Sequence, residues 1–271
     1  MIPKIYGYSA HWKEFNCKRV KQGEYVIKKS DRYYLITDRC HHRGFHLFHA
    51  LKDWENVDLD RYLCPVHGQK GLVDKLIIKE LVLDHTGLVT DGWRTDPEQA
   101  WVKKIAAEDL TYHSTVNFSN HADWRFQMEM NADMSHVKHI HPWLYSTIEL
   151  DEMRYESGVD YLVQNWCDEG WWSSIYPFYQ FEWQTGAVYF AELKPESEDY
   201  YTVEGHFYFD DPDSEQNREF KELILDAYQE DIDHVRHMGR FYGPYHSDHP
   251  LEEHVNHWHD WYWKNRDHIV I

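Results

Sequence analysis

The sequence has few cysteines, a deficit of positive charge and no long apolar run. Its 271 residues include only four cysteines, too few for the disulfide scaffold of a small secreted protein. Lys and Arg number 28 against 47 Asp and Glu, and this net charge of -19 argues against nucleic acid or an anionic membrane as partner. No run of eighteen apolar residues occurs, and residues 1–5 lack the apolar core of a signal peptide. We therefore expect a cytoplasmic protein whose cysteines are thiols or metal ligands.

Apolar and aromatic residues are plentiful instead. Hydrophobic residues make up 42% of the chain, enough for one large or two modest cores, and 13 Trp with 20 Tyr indicate aromatic-rich cores or an aromatic pocket. Short β-rich runs separated by polar turns fill residues 1–108 and recur over 111–118 and 146–209. A break at Asp96-Pro97 indicates a boundary near residue 108.

Two loops of matching design follow strand ends in the first of these regions. The loop at 40–44 reads CHHRG and the loop at 64–68 reads CPVHG. Each contains a Cys, a His two or three residues later, and a Gly that lets the backbone turn tightly. Two kinds of site compete for this set: a tetrahedral zinc site, or a Rieske [2Fe-2S] centre with Cys40 and Cys64 on one iron and His42 and His67 on the other. The pairing of one Cys with one His in each loop favours the Rieske cluster over the zinc site.

A second group of ligand-type residues has the spacing Asp133-x2-His136-x4-His141, followed by a proline. The good helix formers between Glu129 and Lys138 predict a helix in this segment. It should end at His141, because the residue before a proline disfavours helical geometry. His136 and His141 would diverge by about 140° on a regular helix, so they converge only if the helix stops or bulges. His139, three residues after His136, is the alternative ligand.

Asp231 is the candidate for a third ligand. A helix is predicted to start at residues 211–214 and to stop at Gly239, and Asp231 lies on its apolar stripe between Tyr228 and Val235. A buried unpaired carboxylate is costly unless a cation compensates it. We therefore expect Asp231 to bind a metal or, alternatively, to form a salt bridge, and the adjacent Glu230 to face solvent. His136, His141 and Asp231 would form a two-His-one-carboxylate triad, which suits non-haem Fe(II).

The Cys/His loops and this triad together resemble the large (α) subunit of the Rieske non-haem iron oxygenases, the ring-hydroxylating family, over nearly the whole chain. The chain is short for the family, and it has Val66 and Gln69 where the family often has an aromatic residue and a Trp. The resemblance implies an α+β protein with an N-terminal all-β Rieske domain, residues 1–108, and a catalytic domain, residues 109–271. The catalytic domain would have an antiparallel sheet covered by helices, of the helix-grip type.

The resemblance also implies an activity and partners. A [2Fe-2S] cluster would receive electrons from a ferredoxin or flavin-dependent reductase, and a mononuclear Fe(II) would hydroxylate, dihydroxylate or demethylate a small organic compound. The aromatic-rich central region favours an aromatic or other ring compound as substrate and also fits a methylated ammonium, which an acidic protein would attract. In the implied homotrimer, Asp133 would hydrogen-bond His67 and His136 and carry the electron between neighbouring subunits. Two rival interpretations are an electron-transfer or redox-sensing protein with an inactive second domain, and a zinc-stabilised binding protein.

Overall fold

A computed structural model describes residues 2–41, 43–48, 51, 53–105, 109–145, 154–167, 170–239, 246, 248, 253–269 and 271, with only the backbone described for 145, 166 and 167. The chain divides into two compact units, Lys4–Ala107 and Glu108–Ile271, the latter together with Met1–Pro3. Both contain antiparallel sheets, and the α+β prediction is confirmed at this level. Among the helices that the structure describes, none is long and apolar enough to span a membrane.

The first unit is built mainly from β-branched and aromatic residues in short strands. Its strands are β1 (Ile5–Tyr8), β2 (Cys17–Lys21), β3 (Glu24–Lys29), β4 (Arg32–Thr37), β5 (Trp54–Glu55), β6 (Arg61–Leu63), β7 (Lys70–Leu72), β8 (Ile77–Leu83) and β9 (Leu88–Thr90). Seven of them form a sheet in the order β1-β9-β8-β4-β3-β2-β5, and β6 pairs with β7. Two 3₁₀ turns (Ser9–Lys13, Val73–Leu76) and one short helix, α1 (Ala100–Ile105), complete the unit.

The second unit contains one seven-stranded antiparallel sheet and most of the helices. Its strands are β10 (Thr111–Asn120), β11 (Arg154–Ser157), β12 (Tyr161–Cys167), β13 (Gly170–Ile175), β14 (Tyr179–Gln184), β15 (Ala187–Ser197) and β16 (Tyr200–Phe209), in the order β10-β16-β15-β14-β13-β12-β11. Its helices are α2 (Trp124–Ala132), α3 (Val137–Ile140), α4 (Pro142–Tyr145), α5 (Glu215–Val235) and α6 (Glu253–Asn265), followed by a 3₁₀ turn (Arg266–His268).

One face of this sheet packs against the helices. Alternate residues of β15, such as Ala187 and Tyr189, point to the same side, and they share a core with Met128 of α2, Phe220 of α5 and Trp258 of α6. These side chains are all at most 2% exposed. Burial of this aromatic core holds α5, the helix that carries Asp231, against the sheet.

Polar side chains on the same face hold the end of α2. Gln164 donates to the carbonyl of Ala132 at 3.0 Å, and Ser174 donates to the carbonyl of Asn131 at 3.3 Å. These bonds satisfy carbonyls that a helix end leaves without partners. Asp133 then leaves the helix with extended geometry, and its carboxylate accepts the N–H of Ser135 at 2.7 Å. The prediction of one helix over 129–138 was therefore wrong, because sheet side chains and the Asp133 turn interrupt it.

Helix α5 starts as predicted and ends early. Ser214 caps it by accepting the N–H of Asn217 at 3.3 Å. The helix ends at Val235 rather than at the predicted Gly239. Asn120, at the end of β10, donates to the carbonyl of Ile232 at 2.8 Å. That bond lies one residue from Asp231 and ties the last turns of α5 to the sheet.

Candidate metal centres

His136, His141 and Asp231 come together in the second unit. One ligand atom from each lies within 4.8 Å of the other two, and all three residues are buried. His141 Nε2 lies 2.8 Å from Asp231 Oδ1, and His136 Nε2 lies 3.5 Å from the same oxygen. The arrangement is two imidazole nitrogens and a carboxylate oxygen around a common point.

A very short helix explains how residues five apart converge. His136 is the N-cap and His141 the C-cap of the four-residue α3, and His141 has the non-helical angles φ -116° and ψ 60°. Their rings are 5.2 Å apart and nearly perpendicular, with an interplanar angle of 80°. The helix stops where the sequence predicts it must for both rings to meet. His139, the alternative ligand, is exposed and lies outside the cluster.

The chemistry of this donor set fits a metal ion. His136 is 7% exposed, and neither of its ring nitrogens has a hydrogen-bond partner in the described part of the chain. A buried polar group without a partner is costly, and imidazole nitrogen beside carboxylate oxygen is the donor set of Fe(II) and Zn²⁺ sites. The 2.8 and 3.5 Å separations lie close to the roughly 3.0–3.4 Å expected between two donors that bind one ion at about 2.1 Å.

Glu230 holds His141 from the other side. Its Oε2 lies 2.6 Å from His141 Nδ1 and accepts the Trp143 indole N–H at 3.1 Å. The prediction that Glu230 faces solvent was wrong, since its 40%-exposed side chain reaches over the imidazole. Burial disfavours a charged His141, but the bonds to Asp231 and Glu230 outweigh burial and raise its pKa. Glu230 fixes the ring so that Nε2 faces Asp231.

The two Cys/His loops have matching geometry in the first unit. Gly44 donates its N–H to the Cys40 carbonyl at 2.7 Å, and Gly68 donates to the Cys64 carbonyl at 2.9 Å. Each Cys N–H in turn donates to a carbonyl five residues on, at 2.9 Å in both loops. The two glycines have φ of 72° and 62°, a left-handed conformation that other residues rarely adopt. The sequence motifs thus form one repeated backbone loop.

These loops bring thiols and an imidazole together. The Sγ atoms of Cys40 and Cys64 are 4.0 Å apart, and His67 Nδ1 is 3.6 Å from Cys64 Sγ. The thiols are buried and form no disulfide with each other, since a disulfide would place the sulfurs about 2 Å apart. Two thiolates on one tetrahedral metal, with bonds of about 2.3 Å, lie roughly 3.8 Å apart, so the pair fits a shared metal. His42, the fourth predicted ligand, lies outside the described residues.

Asp133 is half-buried and lies three residues before His136. Its carboxylate accepts the Ser135 N–H, and it does not bond His136, whose Nδ1 has no partner in the described structure. The hydrogen bond that the family resemblance implies is therefore absent within this chain. Asp133 lies near Tyr155, whose pKa is raised by burial and by the Asp133 charge.

Comparisons with known proteins bear on the fold. No protein-family model and no curated protein sequence matches the chain. The quaternary ammonium Rieske monooxygenase CntA, solved with its substrate L-carnitine, is similar with a TM-score of 0.67 and 14% identity over 87% of this chain and 77% of CntA. NdmA of Pseudomonas putida CBB5 is similar with a TM-score of 0.56 and 16% identity over 98% of this chain and 90% of NdmA. This chain has the Rieske monooxygenase fold.

The fold expected from the two loop motifs and the triad is thereby confirmed, although sequence identity is low. Within this Rieske fold, each group of predicted ligands lies inside one of the two compact units. The thiols and His67 belong to the first unit, and the His/Asp triad belongs to the second.

A cavity beside Asp231 is lined in part by Gln180 and Glu182, two polar residues that the sequence did not single out. Its enclosed volume is about 10 Å³, and its lining residues are Leu144, Trp172, Gln180, Glu182, Leu223, Ile224, Ala227, Tyr228 and Asp231. Burial raises the pKa of Glu182 to about 8; a hydrogen bond from Gln180 opposes this shift and the charge of Asp231 adds to it. The cavity therefore places a buried carboxyl beside the triad.

Proposed function

We propose that this chain is a Rieske-type non-haem iron oxygenase that uses O2 and externally supplied electrons to oxidise a small organic molecule. The observation that carries the proposal is the buried His136, His141 and Asp231 cluster, in which the His136 imidazole has no hydrogen-bond partner in the described part of the chain. The Rieske monooxygenase fold and the paired Cys/His loops support it.

Two metal groups are assigned to these residues. Cys40, His42, Cys64 and His67 would hold a [2Fe-2S] cluster, and the His/Asp triad would hold one Fe(II). When bound, the iron supplies O2 activation, and the cluster supplies electrons taken from a ferredoxin or flavin-dependent reductase.

The chain's own residues prepare the second site. Glu230, at 2.6 Å from His141 Nδ1, holds the proton there and leaves Nε2 free to bind the ion. Asp231 is 1% exposed, so its carboxylate is kept from water. Leu144, Leu223 and Ile224 give the adjoining cavity apolar walls that exclude water from a bound substrate.

Asp133 is proposed to link the two kinds of site across a subunit boundary in a homotrimer. It is only half-buried, and His67 is exposed on its loop, so both side chains are accessible to a neighbouring copy. The solved structure of a quaternary ammonium Rieske monooxygenase is described in terms of carnitine oxidation and inter-subunit electron transfer. A carboxylate that orients two imidazoles would serve the same transfer here.

Mono-oxygenation, as hydroxylation or demethylation, is the proposed reaction, with cis-dihydroxylation as the alternative. CntA is a monooxygenase that has L-carnitine as substrate, and solved structures of an NdmA mutant hold theobromine or caffeine. The narrow cavity beside Asp231 likewise favours a small substrate. A pure electron carrier, the rival interpretation, has no use for a second set of buried ligands.

Metal and acid-labile sulfide analysis of anaerobically purified protein, with EPR of the reduced sample, tests the proposal. About three irons and two sulfides per chain with a Rieske-type signal are expected. About two irons and no mononuclear site after Fe(II) addition would indicate an electron carrier. A colourless protein with zinc and no sulfide would overturn the proposal.

A further inference from the structure

Two polar groups without partners face each other across neighbouring strands beside the triad. Glu182 of β14 and Trp172 of β13 are direct register partners, so their side chains lie on the same face of the sheet. Both line the cavity that also contains Asp231. Glu182 Oε2 and the Trp172 indole N–H have no hydrogen-bond partner within the described structure.

Both groups are deeply buried. Glu182 is 2% exposed and Trp172 is 5% exposed. A buried polar group without a partner costs about 1–3 kcal/mol, and a buried carboxylate costs more. The two groups face the same cavity without bonding each other, so a donor for Glu182 and an acceptor for Trp172 are both lacking.

No group in the described structure donates to Oε2 of Glu182. Gln180 donates to Oε1 of Glu182, the other carboxylate oxygen. Gln180 is itself held by Asn131, which donates to its side-chain oxygen at 3.1 Å, and Gln127 donates to Asn131 at 3.2 Å. This chain of hydrogen bonds fixes Gln180 in place. Among the described residues that line the cavity there is no Lys, Arg or His, so none of them pairs a positive charge with Glu182.

We propose that Glu182 is the substrate-recognition group and that the substrate carries a protonated amine. The N–H of a substituted ammonium would donate to Glu182 Oε2, and an acceptor atom of the same molecule would receive the Trp172 N–H. Apolar walls from Leu223, Ile224 and Ala227 suit alkyl groups on the nitrogen. The net charge of -19 favours approach of a cation. This inference rests on the proposed function, because it places the amine beside the proposed iron ligands.

Isosteric pairs of small molecules separate charge from shape. Protonated 2-(dimethylamino)ethanol has the shape of 3-methyl-1-butanol, and protonated 4-hydroxypiperidine has the shape of cyclohexanol. In each pair an N–H group replaces a C–H group, and the hydroxyl offers an acceptor to Trp172. Binding is measured by anaerobic calorimetry just above pH 8, where Glu182 is ionised and the amines stay protonated, on the iron-loaded protein with iron and sulfide contents determined on every sample.

The amine of at least one pair is expected to bind at least tenfold more tightly than its carbon isostere, which is about the effect of one charge-assisted hydrogen bond. Glu182→Gln keeps the side-chain shape and an acceptor for Gln180, and it is expected to abolish this preference. Glu192→Gln, which changes a 27%-exposed carboxylate on β15, is expected to retain it. Trp172→Phe is expected to weaken the binding of the amine and of its isostere equally, and so to leave the preference for the amine intact.

Equal binding of amine and isostere in both pairs would overturn the inference, and this result needs only the wild-type protein. A preference that survives in Glu182→Gln would overturn it too. Failure of the proposed function has a different signature: iron or sulfide would be missing from the wild-type protein, whatever the amine preference.

Discussion

Replacing Glu182 by Gln is expected to remove a pH-dependent loss of stability from protein whose mononuclear iron has been stripped. Burial raises the pKa of Glu182 from 4.5 to about 8, the Gln180 hydrogen bond opposes the shift, and the charge of Asp231 adds to it. Between pH 4.5 and about 8, the folded chain therefore keeps a proton on Glu182 that the unfolded chain has released. Stability is full below pH 4.5 and falls as the pH rises towards 8, because folding then requires either proton uptake or a buried charge.

The pKa values set the size of this effect. At about 1.4 kcal/mol per pH unit, a rise from 4.5 to about 8 corresponds to about 5 kcal/mol of lost stability at alkaline pH. In a chain of this size, 1 kcal/mol moves the thermal midpoint by roughly 2–4 °C. The midpoint of Glu182→Gln should therefore exceed that of the wild type by on the order of 10 °C at high pH, with little difference at low pH.

Thermal melts followed by circular dichroism between about pH 5 and 9 provide the assay. The mononuclear iron is removed by chelation, since an ion on Asp231 would cancel part of the repulsion that acts on Glu182. Glu192→Gln serves as the matched control and should follow the wild-type curve. Parallel curves for wild type and Glu182→Gln across the whole range would refute the reasoning, because Glu182 would then titrate as an ordinary carboxyl.

Three further outcomes are expected. Glu230→Ala should weaken Fe(II) binding about 10–100-fold in a chelator competition, because His141 loses its orienting bond. The control Asp233→Ala, on the next turn, should bind Fe(II) like the wild type. Equal Fe(II) affinities of Glu230→Ala and wild type would contradict this role of Glu230. Gly71→Ala should speed thermal bleaching of the cluster, because the added Cβ would lie 2.2 Å from the Tyr62 ring. At Gly239 an added Cβ meets nothing within 4 Å, so Gly239→Ala should bleach at the wild-type rate. Asp133→Asn should retain both metals but severely slow cluster oxidation in a single turnover with O2, and rapid oxidation would exclude a role in electron transfer.

The ligand sets could be predicted because their spacing carries geometric information. A His pair five residues apart can meet only at a helix end, and the structure places His136 and His141 at the two ends of a four-residue helix. Asp231 was predictable because it interrupts an apolar stripe, and it is 1% exposed. The break at Asp133 was not predictable, since it depends on Gln164 and Ser174 in strands distant along the chain.

Glu182 and Glu230 were missed for different reasons. Strand β14 alternates polar and aromatic residues, a pattern typical of a strand with one solvated face, yet its polar face is buried against helices. Only the tertiary structure shows that Glu182 lines a cavity. Glu230 lies about 100° around the helix from Asp231, and its side chain reaches His141 only because α3 and α4 pass over that side.

The central claim is that His136, His141 and Asp231 bind one Fe(II). Anaerobic Fe(II) titration by calorimetry, on protein that retains its cluster but lacks mononuclear iron, tests it most directly. The account predicts one Fe(II) bound per wild-type chain and none in His136→Ala or Asp231→Ala, with sulfide content unchanged in both. Equal Fe(II) binding by wild type and both variants would contradict the account.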